Sequence, residues 1–163
     1  MKMEYCPVCG SHLGMREHPT DGPTLYCTSC GDYRFPLFST AISAVVLDAA
    51  GENMLLIKQY GEDEPVLVAG YVDKGERAEH AVRRELMEEL GMEAEKIAFL
   101  GSHYYAPSET LMLNFLAVVG ETEAHPNWEV DSWRWFSLAE ARRIVKPQSL
   151  AETLLNDFFE PGL

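Results

Sequence analysis

Two cysteine pairs constrain this chain more than any other feature. Cys6-Pro-Val-Cys9-Gly10 and Cys27-Thr-Ser-Cys30-Gly31 are separated by 17 residues. In each pair the two-residue spacer lets both thiolates face one ion, and the following glycine permits the tight turn behind it. Four sulfurs complete the closed tetrahedral shell that a structural zinc site requires. Disulfides are the alternative, but nothing in the sequence signals an oxidising compartment. A redox pair would need a single such motif near a βαβ pattern, which is absent. So short a segment cannot enclose a core of its own, so residues 1–36 are expected to be a small zinc ribbon stapled by Cys6, Cys9, Cys27 and Cys30.

After Pro36 the pattern changes. AISAVVLD (41–48), MLLIKQY (54–60) and PVLVAGYV (65–72) are apolar, β-prone runs divided by turn residues. From about Ala78 to Leu90 an apolar residue recurs every fourth position, at Ala78, Val82, Leu86 and Leu90, the buried stripe of an amphipathic helix. Gly91 stands where a helix-ending glycine belongs. Further strands are expected in IAFLGSHYY (97–105), TLMLNFLAVV (110–119) and WRWF (133–136). Ser137-x-x-Glu140 and Ser149-x-x-Glu152 read as capping boxes opening two helices, the second burying Leu150, Leu154 and Phe158. Residues 37–163 are therefore expected to form one mixed α/β domain.

Charge narrows the partners. The formal net charge is −13, which repels nucleic acid, anionic membranes and free phosphates alike. A phosphate-bearing substrate would need cations supplied alongside it. No apolar run approaches the length of a membrane span. The opening MKMEYCPVCG lacks the apolar core of a signal peptide, so a cytoplasmic location is expected.

The segment RRELMEELGM (83–92) places Glu85, Glu88 and Glu89 within about one turn of each other on that helix. Like charges three and four residues apart repel by a few tenths of a kcal/mol, so a surface helix gains nothing from them. Taken alone the triplet reads as a solvated acidic face. The longer stretch, Gly70, five residues, Glu76, seven residues, then Arg84-Glu85-Leu86-x-Glu88-Glu89-x-Gly91-Met92, resembles the signature of the Nudix hydrolases at all nine specified positions. The resemblance implies a Nudix fold, a mixed β-sheet between helices, and a metal-dependent pyrophosphohydrolase. It implies that Glu85, Glu88 and Glu89 ligate Mg²⁺ or Mn²⁺, one of them also relaying a proton. Arg84 would orient them by pairing with Glu76, and the carbonyl of Ala69 beside Gly70 would be a further metal ligand.

A zinc ribbon followed directly by this signature resembles the NADH pyrophosphatase subfamily, which cuts NADH or NAD to nicotinamide mononucleotide and AMP and in some members removes NAD caps from RNA. Arg34-Phe35-Pro36 matches its aromatic and proline past the last cysteine, and Val68-Ala69-Gly70-Tyr71-Val72-Asp73 its Leu-Ala-Gly-Phe-Val-Glu. The resemblance implies that Tyr71 stacks on adenine with help from Phe35, in a homodimer that completes the base site. It makes Glu129, six residues before Trp135-Phe136, a further metal ligand. Thr110 and Met112, with Gly70, are expected at the dinucleotide substrate. They close the stretch Ser102 to Met112 that answers the subfamily's Ser-Gln-Pro-Trp-Pro-Phe-Pro-x-Ser-Leu-Met. There the Gln and two of three prolines are missing, so a loop less preorganised for the nicotinamide half is expected. The extra N-terminal domain of full-length members is also expected to be missing. ADP-ribose and FAD are the alternative substrates, and a nucleotide-sensing module without catalysis or a ribbon that docks protein are the alternative classes. On charge, nucleic acid is not expected as a partner, a capped RNA excepted.

Overall fold

The computed structural model describes residues 3–160. Residues 1–2 and 161–163, at the outer ends of the two expected domains, lie outside the described residues. The chain divides into two compact units, with the break between Phe38 and Ser39.

In the first unit, β1 (Gly14–His18), β2 (Gly22–Cys27) and β3 (Asp32–Arg34) form an antiparallel sheet in that order. Among the described residues its buried apolar side chains are Cys6, Leu13 and Cys27, with Met3 and Leu25 packed against them. That is far too little apolar surface to hold a fold by burial alone. Each cysteine pair closes a turn: Gly10 donates its N–H to the carbonyl of Cys6 at 2.8 Å, and Gly31 to that of Cys27 at 2.9 Å. Both glycines adopt positive φ, 74° and 68°, which is the reason a glycine follows each pair.

The second unit is built on a six-stranded mixed sheet. Its strands are β4 (Ser39–Leu47), β5 (Asn53–Gln59), β6 (Val68–Tyr71), β7 (Ala94–Tyr105), β8 (Thr110–Val119) and β9 (Val130–Ser137). The path is β7-β8-β4-β5-β9, and the β4–β8 pairing is parallel. The other edge of β4 is shared: β6 pairs with residues 41–44 and β5 with 46–47. Beyond that fork β5 continues alongside β9.

Helices cover both faces. The helix α1 (Ala78–Leu90) buries Ala81, Val82, Leu86 and Leu90 against Ile42, Val46, Ile57 and Phe115 of the sheet. On the opposite face α2 (Leu138–Ile144) and α3 (Leu150–Phe159) contribute Ala141, Leu154 and Leu155 to a second core with Val45, Leu56 and Met112. Leu150 and Phe158 pack at its margin, half-buried, so the inward stripe of α3 centres on Leu154 and Leu155. Ser137 and Ser149 each accept the N–H three residues on, and Ser137 with Glu140 completes a capping box. Gly91 ends α1 at φ 64°, its N–H reaching the carbonyl of Met87 while Met92 reaches that of Leu86.

Candidate active site

The acidic residues of α1 are not a solvated face. Glu85 is 9% and Glu89 2% exposed, while the Glu88 side chain points outward. The apolar stripe anchors the helix, and the turn that carries the carboxylates is thereby pressed toward the fork where β6 leaves β4. Gly70 sits on that fork, paired with Ile42. A β-carbon at Gly70 would fall 1.9 Å from Oε1 and 2.0 Å from Cδ of Glu85. With glycine there, the carboxyl group of Glu85 fits without moving.

Arg84 binds the acidic set from one side. Its Nε and Nη2 donate to the two oxygens of Glu76, each at 3.0 Å, and Nη1 donates to Glu85 at 2.8 Å and Glu88 at 3.0 Å. Nη2 also reaches the carbonyl of Tyr71 at 2.9 Å, tying the helix to the end of β6. A guanidinium presents five donors in a rigid planar fork that pairs side-on with a carboxylate, which the point charge of an ammonium does not. The pairing with Arg84 holds Glu76 below the ordinary carboxylate range and raises the arginine itself.

Burial acts the other way on the inner pair. It raises the pKa of Glu85, against the pull of Arg84. It pushes Glu89 up to about 7, against a hydrogen bond from Gln59 and with added repulsion from Glu85, Glu129 and Glu88. Gln59 Nε2 donates to Oε1 of Glu89 at 2.8 Å, and Oε2 of Glu89 is buried with no hydrogen-bond partner. A buried carboxylate oxygen without a donor is costly to leave bare.

Glu129 is brought to the same set by the end of α1. The last carbonyls of a helix lack intrahelical partners. Here Leu90 and Glu89 accept from the N–H groups of His125, at 2.7 Å, and Asn127, at 3.0 Å. Asn127 Oδ1 in turn accepts the N–H of Glu129 at 2.8 Å. The Tyr60 hydroxyl donates to Oε2 of Glu129 at 3.0 Å.

A cavity of about 250 Å³ adjoins this group on the α3 face of the sheet. Ser43, Gln59, Leu67, Ala69, Met112 and Leu154 line it. Beneath it runs a buried polar chain. Asn114 gives its amide hydrogens to the carbonyl of Leu154 and to Asp157, and its oxygen accepts from Ser43 at 2.8 Å. Asp157 also meets His103 Nε2 at 2.9 Å.

The residues expected at the substrate are scattered in role. Tyr71, 61% exposed, follows Gly70 on β6. Phe35 belongs to the first unit, where its ring meets His18 edge-on. Thr110 is buried, its hydroxyl engaged with Ser108, whereas Met112 lines the cavity. In the stretch from Ser102 to Met112, Ser102, His103, Tyr104 and Tyr105 pair with Leu113, Met112, Leu111 and Thr110, and a 3-10 turn over Ala106–Ser108 joins the two strands. Gln59, Tyr60, Ser43 and Asn114 were not expected at the site. Asn114, alone among apolar neighbours in TLMLNFLAVV, carried a signal; the others carried none in a single sequence.

In the first unit the four sulfurs lie within 4.8 Å of one another, Cys6 to Cys30 at 3.9 Å and Cys9 to Cys27 at 3.5 Å. These are non-bonded separations, so the cysteines are free thiols. Four Zn–S bonds of about 2.3 Å in a tetrahedron place sulfurs roughly 3.8 Å apart, which this spacing fits. Burial raises the pKa of Cys6, but Arg34 Nε, 3.2 Å from its sulfur, and the backbone amides of Cys9 and Val8 outweigh it and pull the thiol down to about 6. A thiol so poised is readily a thiolate ligand.

The NUDIX domain family matches residues 37–156. A "NAD-capped RNA hydrolase NudC" of Pseudomonas aeruginosa is 29% identical over 155 residues, which is 93% of this chain and 54% of that protein. "NAD-capped RNA hydrolase ndx-9" of Caenorhabditis elegans is 28% identical over 93% of this chain and 41% of its own length. The chain thus spans about half the length of the curated relatives it matches. Among solved structures, a NUDIX hydrolase from Nitrosomonas europaea shares the fold, with a TM-score of 0.67 at 17% identity over 98% of this chain and 93% of the other. So does the NUDIX domain of Shewanella oneidensis NrtR complexed with ADP ribose, with a TM-score of 0.64 at 17% identity over 83% and 93%. With the family's domain matched over most of its length and the signature residues drawn together on α1, this chain belongs to the Nudix family.

Proposed function

We propose that the chain is a metal-dependent pyrophosphohydrolase that cleaves the diphosphate of a nucleoside diphosphate derivative, NADH or NAD giving nicotinamide mononucleotide and AMP. The observation that carries this reading is the buried, unpartnered Oε2 of Glu89 beside Glu85, Glu88 and Glu129. Arg84 reaches Glu85 and Glu88 but makes no hydrogen bond to Glu89 or Glu129, so a divalent cation would supply the positive charge these two lack, and hard oxygen donors suit Mg²⁺ or Mn²⁺. Glu85, Glu88, Glu89, Glu129 and the Ala69 carbonyl would hold the ions, and Cys6, Cys9, Cys27 and Cys30 would hold structural Zn²⁺. Bound there, divalent cations would neutralise phosphate oxygens and acidify a water for attack at phosphorus.

The chain's own residues do the rest. Arg84 and Glu76 fix the rotamers of Glu85 and Glu88, so the carboxylates need no rearrangement when the substrate arrives. Tyr71, exposed at the end of β6, offers a face for stacking adenine, with Phe35 as its partner across a homodimer. Met112 and Gly70 belong to the cavity wall and to the seat of Glu85, and Thr110 supports the strand beside them. The relatives are named for NAD-capped RNA, but a net charge of −13 disfavours the RNA body, so a free dinucleotide in the cytoplasm is the favoured substrate.

The test is product analysis after incubation with Mg²⁺ or Mn²⁺ and NADH, NAD, ADP-ribose or FAD, with Glu88→Gln as control. Nicotinamide mononucleotide and AMP should appear fastest from NADH or NAD. Faster cleavage of ADP-ribose or FAD would move the specificity while leaving the chemistry. Turnover by Glu88→Gln equal to wild type would sink the assignment.

A further inference from the structure

Arg84 grips Glu85 and Glu88, but it touches neither Glu89 nor Glu129 in any of its hydrogen bonds. Those two carboxylates are held instead by two consecutive residues at the end of β5, Gln59 on Glu89 and Tyr60 on Glu129. The β5–β9 ladder brings the pair into position. Gln59 lies opposite Val130, next to Glu129, and the register shifts between Lys58 and Gln59. That bulge re-aims the end of the strand. Tyr60 then takes a left-handed backbone, φ 56°, which is strained for a tyrosine. The turn is fastened from β9, where Asp131 accepts the N–H of Gly61 at 2.6 Å.

Both donors are neutral. An arginine or lysine in their place would occupy the carboxylates with a fixed positive charge and compete with a divalent cation. An amide and a phenol fix each carboxylate's direction while leaving its charge available. For Glu89 the effect is specific: Gln59 takes Oε1 and leaves Oε2 buried and bare. Gln59 also lines the cavity, so one side chain joins that space to the acidic set.

We infer that Gln59 and Tyr60 are positioning residues that aim Glu89 and Glu129 at the catalytic cation, a neutral counterpart to the charged clamp of Arg84. This rests on the metal-dependent reading above. The test is a Mn²⁺ titration of the full chain followed by electron paramagnetic resonance. It compares wild type, Gln59→Leu, Tyr60→Phe, the double variant and Glu88→Gln, each with its thermal midpoint recorded before Mn²⁺ is added. Gln59→Leu and Tyr60→Phe should each weaken Mn²⁺ binding roughly tenfold, the scale seen when residues supporting a metal's ligands are removed. The double variant should weaken it further, and the midpoint of Tyr60→Phe should not move. Unchanged Mn²⁺ binding in Gln59→Leu and Tyr60→Phe, with a loss in Glu88→Gln, overturns the positioning role and leaves the hydrolase reading standing. Unchanged binding in all of them overturns both.

Discussion

Gly70 and Glu85 meet so closely that a β-carbon on residue 70 would lie 1.9 Å from the carboxylate oxygen. The contact explains why the family signature opens on a glycine 15 residues before its second acid: the strand fork of β6 and the third turn of α1 share one pocket of space. The atoms in the way are the far end of a glutamate, which can swing aside. Gly70→Ala should therefore cost little stability, on the order of 1 kcal/mol, yet displace Glu85 and weaken Mn²⁺ binding at least tenfold. A Mn²⁺ titration beside a thermal melt checks both halves. A large loss of stability with Mn²⁺ affinity intact would contradict the account.

Arg84 shares its guanidinium among Glu76, Glu85 and Glu88. Arg84→Lys keeps the charge but loses the fork. We expect kcat to fall by roughly 10- to 100-fold, with a smaller change in KM, since Arg84 does not line the cavity beside Gln59 and Met112. Steady-state kinetics with NADH measures it, and a variant matching wild type would show that charge alone suffices.

Glu89 sets a pH dependence of the protein without divalent cation. Its folded pKa, about 7, lies above the ordinary 4.5. The folded state therefore holds the proton more tightly, and stability falls as pH rises from about 4.5 to about 7, by on the order of 3 kcal/mol. Urea unfolding at about pH 4.5 and about pH 8 should show a larger loss in wild type than in Glu89→Gln, where Glu85, also raised by burial, still contributes. A difference between the two proteins that stays constant with pH would contradict the assignment of the shift to Glu89. Mn²⁺ should restore the wild type at the higher pH.

How much of this was legible in the sequence depends on how far each contact reaches. The bounds of α1 were readable because Val82, Leu86 and Leu90 repeat at helical spacing and Gly91 stops the helix within the same few residues. The cysteine turns were readable for the same reason, each glycine serving a carbonyl four residues back. The bond from Gln59 to Glu89 spans 30 residues and that from Tyr60 to Glu129 spans 69, and both depend on a register shift in a ladder. No local pattern encodes such a shift. The strands on either side of the 106–109 turn were readable from their apolar, β-prone runs, whereas the register that pairs Ser102 with Leu113 and Tyr105 with Thr110 was not.

The first unit should unfold separately from the second. Its buried apolar set is Cys6, Leu13 and Cys27, whereas the second unit has two full cores. Cys27→Ser should abolish the one expected equivalent of bound zinc and the ordered signals of residues 5–34, and the second unit should still melt cooperatively. Zinc content by atomic absorption and a proton–nitrogen NMR spectrum report each part. Full zinc retention would contradict the four-sulfur site.

The most direct measurement of the central claim is the product profile from NADH with Mn²⁺, run side by side for wild type and Glu88→Gln. The account predicts nicotinamide mononucleotide and AMP from the wild type and almost none from the variant, whose thermal midpoint stays near that of wild type. Equal product from both proteins would contradict it.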